Sequence, residues 1–174
     1  MSESAFLAFY ARTAGPLAGY LRRLSGNHAV AEDLLQDTYV RFLVSTRVPE
    51  DDEHRKNYLF RIATNLARDH FRRTARQRPL AAPDNLMSGD PPPADGDVWA
   101  RLALLSPRDR ELLLLAYVEG LTHKEIADIT GLMRASIRPL LFRARRRFAA
   151  VLRAAGLADA DVADREPSST GGSS

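Results

Sequence analysis

The chain has no cysteine among its 174 residues. Disulfides, thiol-based sensing and cysteine-ligated zinc are therefore excluded within it. It also lacks an apolar run long enough to cross a bilayer. Its polar, acidic first residues have none of the basic-then-apolar character of a signal peptide. A cytoplasmic protein with no membrane insertion is the expectation. The four histidines, His28, His54, His70 and His123, are scattered. They form no HExxH and no paired ligand spacing, and no glycine-rich phosphate loop is present. No catalytic, metal or cofactor site is legible, so an enzyme reading has little support.

Charge is present, and it is unevenly placed. Residues 1–78 carry 13 basic and 9 acidic side chains, a net +4, and residues 98–155 carry 11 and 5, a net +6. Between them, residues 79–97 hold four acids, no base, two glycines and five of the ten prolines. Residues 156–174 hold four acids and one base. Two basic blocks on an acidic, Pro-rich link point to two nucleic-acid-facing modules. The expected fold class is all-α: two small helical domains, 1–78 and 98–155, joined by a flexible linker at 79–97. The tail 156–174 is polar, low in complexity and expected to be disordered.

The most informative stretch is Ala116 to Phe148. Thr122 followed by Glu125 is a capping box, which predicts a helix from His123 with Ile126, Ala127 and Ile129 inward. Gly131 supplies the left-handed turn after it. Ile137, Leu141, Ala144 and Phe148 then form one stripe at spacings of four, three and four, so a second helix follows. Its outward side carries Arg143 and Arg147, with Arg138, Arg145 and Arg146 on the flanks. Two helices around a glycine turn, the second one basic, suit insertion into a DNA major groove. A solvated basic helix on an ordinary bundle is the competing reading of the charge alone. Upstream, Ser106-Pro107 is an N-cap followed by proline at the first helical position.

In the N-terminal half, residues 4–24 have helical spacing interrupted at Gly15-Pro16, read as two short helices or one broken one. Phe6, Phe9 and Tyr10 are read as core. Asn27 is a plausible N-cap for a helix at about 28–45. Leu35, Tyr39, Phe42 and Leu43 are its inward face, and Asp33, Gln36, Asp37 and Val40 fall on another side. That acidic side is either solvated or a docking surface for a basic partner. After Pro49 and four consecutive acids at 50–53, a long helix is predicted over about 53–77. Leu59, Ile62, Ala63, Leu66 and His70 are its buried stripe. Asn57, Arg61, Asn65, Arg68 and Arg72 lie opposite, with Tyr58 and Phe60 nearby to stack on an unpaired base.

Three stretches together, AEDLLQDTYVRFL, NYLFRIATNLARDHFRRTAR and LSPRDRELLLLAYVEGLTHKEIADITG with the arginine-rich helix, resemble the bacterial sigma factors of the extracytoplasmic-function (ECF) group. The match covers about 5–155. The resemblance implies a winged-helix-like helix-turn-helix as the second domain and no covalent chemistry. It implies that Asp33, Leu34, Gln36, Asp37, Val40 and Arg41 meet core RNA polymerase. Asn57, Tyr58, Arg61, Asn65, Arg68, Arg72 and Arg73 would then read and melt the minus-ten DNA, with captured unpaired bases offsetting strand opening. Arg134, Ser136, Arg138, Pro139, Arg143 and Arg147 would face the minus-thirty-five duplex. Promoter DNA and an anti-sigma factor are the further partners implied.

Two features depart from that pattern. Four carboxylates at 50–53 repel phosphate, so this loop is not expected to lie close to DNA. Pro139-Leu140 replaces polar residues on the groove side. The strain of an internal proline disappears if Ser136 caps the helix, so the helix is predicted to start near Ser136 or to kink before Pro139. Apolar side chains there can touch thymine methyls but cannot pair with base edges. The rival to the sigma reading is a stand-alone helix-turn-helix regulator, which needs neither a polymerase dock nor a single-strand reader.

Overall fold

A computed structural model describes residues 1–77 and 96–156. The chain divides into two compact units, Met1–Asp90 and Pro91–Ser174. Among the described residues the only regular structure is helical. The linker and tail expectations fall outside the described residues, except that Gly96 and Asp97 already belong to a helix and Gly156 lies in a turn at φ 72°.

The first unit is three helices: α1 (Glu3–Ser25), α2 (His28–Val44) and α3 (Asp52–Gln77). Ser2 caps α1 by accepting from the Ala5 N–H, and Gly26 ends it at φ 66°, the left-handed conformation that glycine adopts without a Cβ clash. Asn27 caps α2, its side chain accepting from the Val30 N–H at 3.1 Å. Asp51 starts α3, its Oδ2 accepting from the Glu53 and His54 N–H groups. Those bonds, with the His54 ring 2.8 Å away, hold the Asp51 carboxyl below the usual range.

The expected break in α1 does not occur: the helix runs through Gly15-Pro16. Proline there removes one backbone bond, to the Arg12 carbonyl. Pro16 faces solvent, so that carbonyl can be hydrated, while Thr13, Leu17, Tyr20 and Leu21 are buried on the other side. Packing of the buried side outweighs the local defect. The core gathers Phe9, Leu17, Tyr20, Leu24, Phe42, Leu59 and Phe60, with Phe9 and Phe42 stacked at 5.1 Å. Buried hydroxyls pair off, Thr13 with Tyr39 at 2.8 Å and Tyr20 with Thr64 at 2.9 Å. Burial raises the Tyr39 phenol pKa despite that bond. Of the aromatics read as core, Phe9 is buried, Phe6 is half-buried and Tyr10 is exposed.

The second unit holds α4 (Gly96–Leu102), α5 (Pro107–Leu113), α6 (His123–Thr130) and α7 (Arg134–Ala154). Ser106 caps α5, with Pro107 following it as expected. The next five residues, Leu114–Val118, widen into a π turn in which the Glu119 N–H reaches the Leu114 carbonyl. Leu112, Leu114, Leu115, Ile126, Ile129, Ile137, Leu141 and Ala144 form the core. Among the described residues the helix-turn-helix carries no strand. Arg110 is buried under it, donating to the Ala103 and Leu105 carbonyls, and burial lowers its pKa.

Candidate nucleic-acid interface

The helix-turn-helix is built as its local sequence dictates. Thr122 Oγ1 accepts from the Glu125 N–H at 3.2 Å, and Glu125 Oε2 accepts from the Thr122 N–H at 2.8 Å. The capping box is complete. Gly131 turns the chain at φ 73°, and α7 begins three residues later. That start corrects the expectation at Ser136. Met133 is the N-cap, with no side-chain bond, and the Ser136 N–H donates to the Met133 carbonyl at 2.9 Å. Pro139 therefore lies beyond the first turn, inside the helix, and leaves the Ala135 carbonyl without its usual donor. Ile137 and Leu141, both buried, hold the helix in place on either side of it.

Arg134, Arg138, Pro139 and Arg143 are exposed on α7, and Ser136 is half-buried. Arg147 is turned back on the protein: its guanidinium donates to both oxygens of Asp109, at 3.1 and 2.9 Å. The Asp109 side chain is only 7 % exposed, so Arg147 is the partner of a buried carboxylate, not a projection into the groove. Arg145 likewise donates to the Tyr117 hydroxyl at 2.9 Å. Phe142 and Arg146 were not singled out in the sequence as readers, yet they stand on the outward side, with Arg146 over the Phe142 ring at 5.7 Å. Helical periodicity already carried this signal, because at about 100° per residue Phe142 falls opposite Ile137, Leu141 and Ala144.

In the first unit α3 presents an exposed row of Arg61, Asn65 and Arg72, with Arg68 half-buried and Arg73 exposed to one side. Arg61 to Arg72 spans roughly 16 Å of helix. Arg72 makes a loose, exposed ion pair with Asp69 at 3.6 Å, too weak to withhold it from a phosphate. Two residues expected with this row do not stand in it. Asn57 is nearly buried, and Phe60 is 1 % exposed, packed 5.4 Å from Tyr20, so it cannot stack on a base. Tyr58 is half-buried, its hydroxyl 2.6 Å from Ser45 Oγ. His70, read as buried, is half-buried; desolvation and then the Arg73 charge lower its pKa.

The acidic loop is occupied within the protein. Asp52 pairs with Arg12 at 2.6 Å and with Arg55 at 2.8 Å, and Arg55 also donates to the Pro49 and Glu50 carbonyls. Its carboxylates thus begin a helix and fasten it to α1.

On α2, Asp33, Gln36, Asp37, Val40 and Arg41 are exposed together. Leu34 is not with them; at 5 % exposed it packs inward with Ala31, Thr38, Tyr39 and Phe42. The expected inward face is corrected in the same way, since Leu35 is half-buried and Leu43 is exposed. Val44 extends the stripe one turn past Val40, so the acidic patch ends in exposed Val40, Leu43 and Val44. A charged rim around apolar side chains is the composition of a protein-binding surface.

One chain thus carries two helical units, the first with a basic row beside an acidic and apolar patch, the second a basic helix-turn-helix. Family comparisons divide the chain in the same order: the sigma-70 region 2 model matches residues 9–77 and the sigma-70 region 4 model residues 95–148. CarQ, an RNA polymerase sigma factor of Myxococcus xanthus, is 32% identical over 144 residues, 79% of this chain and 83% of that protein. The ECF sigma factor SigE of Mycolicibacterium smegmatis is 34% identical over 135 residues, 71% of this chain. The chain spans about half the length of SigE, 52%. Among solved structures, the sigma factor RpoE of Bartonella quintana, in complex with the anti-sigma factor NepR, aligns with a TM-score of 0.67 and 25% identity, covering 86% of this chain and 97% of that one. CnrH with the cytosolic domain of CnrY aligns at 0.66 and 27%, covering 88% and 90%. This chain belongs to the ECF group of the sigma-70 family of RNA polymerase sigma factors.

Proposed function

We propose that the protein binds core RNA polymerase and directs it to promoters, melting the minus-ten element with the first unit and reading the minus-thirty-five duplex with the second. The observation that carries this reading is the exposed Arg61-Asn65-Arg72 row, with Arg68 half-buried beside it, on a chain that also bears a separate helix-turn-helix. One duplex reader suffices for a repressor; a second basic row on a separate unit, with Asn65 among its arginines, adds a backbone contact beside a residue able to meet an unpaired base. Asp33, Gln36, Asp37, Val40 and Arg41 face the polymerase, and Leu34 supports them from beneath. Arg61, Arg68, Arg72 and Arg73 follow the minus-ten backbone while Asn65 meets an unpaired base, with Asn57 and Tyr58 shaping the floor. Arg134, Ser136, Arg138, Pro139 and Arg143 face the upstream duplex, and Arg147 holds their helix in place.

The protein itself is not an enzyme in this reading; the polymerase performs the chemistry, and the site of action is the cytoplasm. Among the described residues no helix is long and apolar enough to cross a membrane. An anti-sigma factor is the natural partner when the protein is held inactive, by analogy with RpoE bound to NepR and CnrH bound to CnrY. Reconstitution with bacterial core polymerase tests the proposal, by co-elution and by transcription from a pool of random promoters. Selected start sites are expected. Tight binding to duplex DNA alone, with no polymerase association, would overturn the sigma reading in favour of a stand-alone regulator.

A further inference from the structure

The outward stripe of α7 is made largely of side chains that cannot hydrogen-bond a base edge. At about 100° per residue, Ala135, Pro139, Phe142 and Arg146 lie opposite the buried Ile137, Leu141 and Ala144. All four are exposed, and Phe142 is 50 % so. Arg146 sits over its ring, and Arg143 stands beside the same stripe. Arg134, Arg138, Arg143 and Arg146 make this face strongly cationic, and a polyanion is the ligand it complements. In helix-turn-helix docking the N-terminal part of the second helix meets the base edges. Alanine, proline and phenylalanine side chains carry no donor or acceptor there. In the major groove the feature such groups recognise is the C5-methyl of thymine.

We propose that Pro139 and Phe142 are specificity-determining residues that select thymine by its methyl group in the duplex under α7, with Arg143 and Arg146 anchoring the flanking phosphates. The proposal rests on the sigma reading, because it takes promoter duplex as the ligand of α7. It makes the upstream element one with thymines facing positions 139 and 142, chosen by apolar contact instead of paired hydrogen bonds.

Uracil lacks only that methyl, so it isolates the contact. Holoenzyme is assembled from the full chain and core polymerase, and a promoter is selected from a random pool. Its upstream element is then resynthesised with uracil in place of each thymine in turn, and occupancy is measured. Wild-type holoenzyme is expected to lose about fourfold at each contacted position, the worth of one buried methyl. Phe142→Ala holoenzyme is expected to bind thymine and uracil equally at its position and to keep wild-type discrimination elsewhere; Pro139→Ala should do the same at the neighbouring one. Equal occupancy of thymine and uracil promoters by the wild-type holoenzyme overturns the proposal, and that comparison needs no variant to fold. Full discrimination retained by Phe142→Ala overturns it for Phe142. Failure of the chain to co-elute with polymerase is a separate observation; it sinks the sigma reading, and this inference with it.

Discussion

Replacing Arg147 with alanine distinguishes a groove contact from a structural clamp. Arg147 lies on the C-terminal half of α7 and donates two bonds to Asp109, the third residue of α5. The Asp109 side chain is 7 % exposed and that of Arg147 is 60 % exposed. A hydrogen bond to a charged group contributes on the order of 1.5–3 kcal/mol when its loss strands a buried partner. Solvent around Arg147 screens the pair and places the cost near the lower end, about 2 kcal/mol. For a unit of this size, that corresponds to a fall in Tm of roughly 8–16 °C. The assay is thermal unfolding of the full chain followed by circular dichroism, with Arg143→Ala as the exposed control. Arg147→Ala should lower the transition of the second unit, and Arg143→Ala should leave it within about 2–4 °C, the usual effect of a surface change. In DNA binding the order reverses: Arg143→Ala removes a phosphate contact and reduces the salt slope by about 1. An unchanged Tm for Arg147→Ala, together with a reduced salt slope, would refute the clamp and restore Arg147 to the groove.

Three further perturbations probe the same structure. Gly131→Ala places a Cβ at φ 73° with nothing within 4 Å to clash, so its cost is backbone strain alone, about 1–2 kcal/mol, read as a lower Tm. Pro139→Ala restores an N–H for the Ala135 carbonyl and should stabilise the second unit by roughly 1–2 kcal/mol, less than the full proline penalty because the unfolded chain gains freedom; a lower Tm would contradict the placement of Pro139 inside the helix. The folded-state pKa of His70 lies below its ordinary 6.5. The unfolded chain therefore binds the proton first, so this contribution is complete above about pH 6.5 and is lost as the pH falls through that value. His70→Gln should flatten the stability of the first unit between about pH 7 and pH 5 relative to wild type, as measured by urea unfolding.

Local signals proved sufficient wherever a backbone donor needed a nearby side chain. The Asn27 cap, the Ser106-Pro107 start, the Thr122–Glu125 capping box and the Gly131 turn are all present as read, because each involves residues within four of one another. The sequence by itself also determined the all-helical class and the two basic blocks that became the α3 row and α7, since periodicity and charge survive whatever the packing.

Tertiary structure decided the rest. Leu34 and Leu43 exchanged the sides expected of them, and Asn57 and Phe60 turned inward, because a residue at the edge of a stripe is buried or exposed according to where the neighbouring helix lies. Arg147 went to Asp109, 38 positions away in the chain, a pairing that no local rule anticipates. Pro16 and Pro139 remained inside continuous helices because burial of Leu17 and Tyr20, and of Ile137 and Leu141, outweighs one missing backbone bond. Propensity is a sum over neighbours in sequence, whereas burial is a sum over neighbours in space, and at these positions the second is larger.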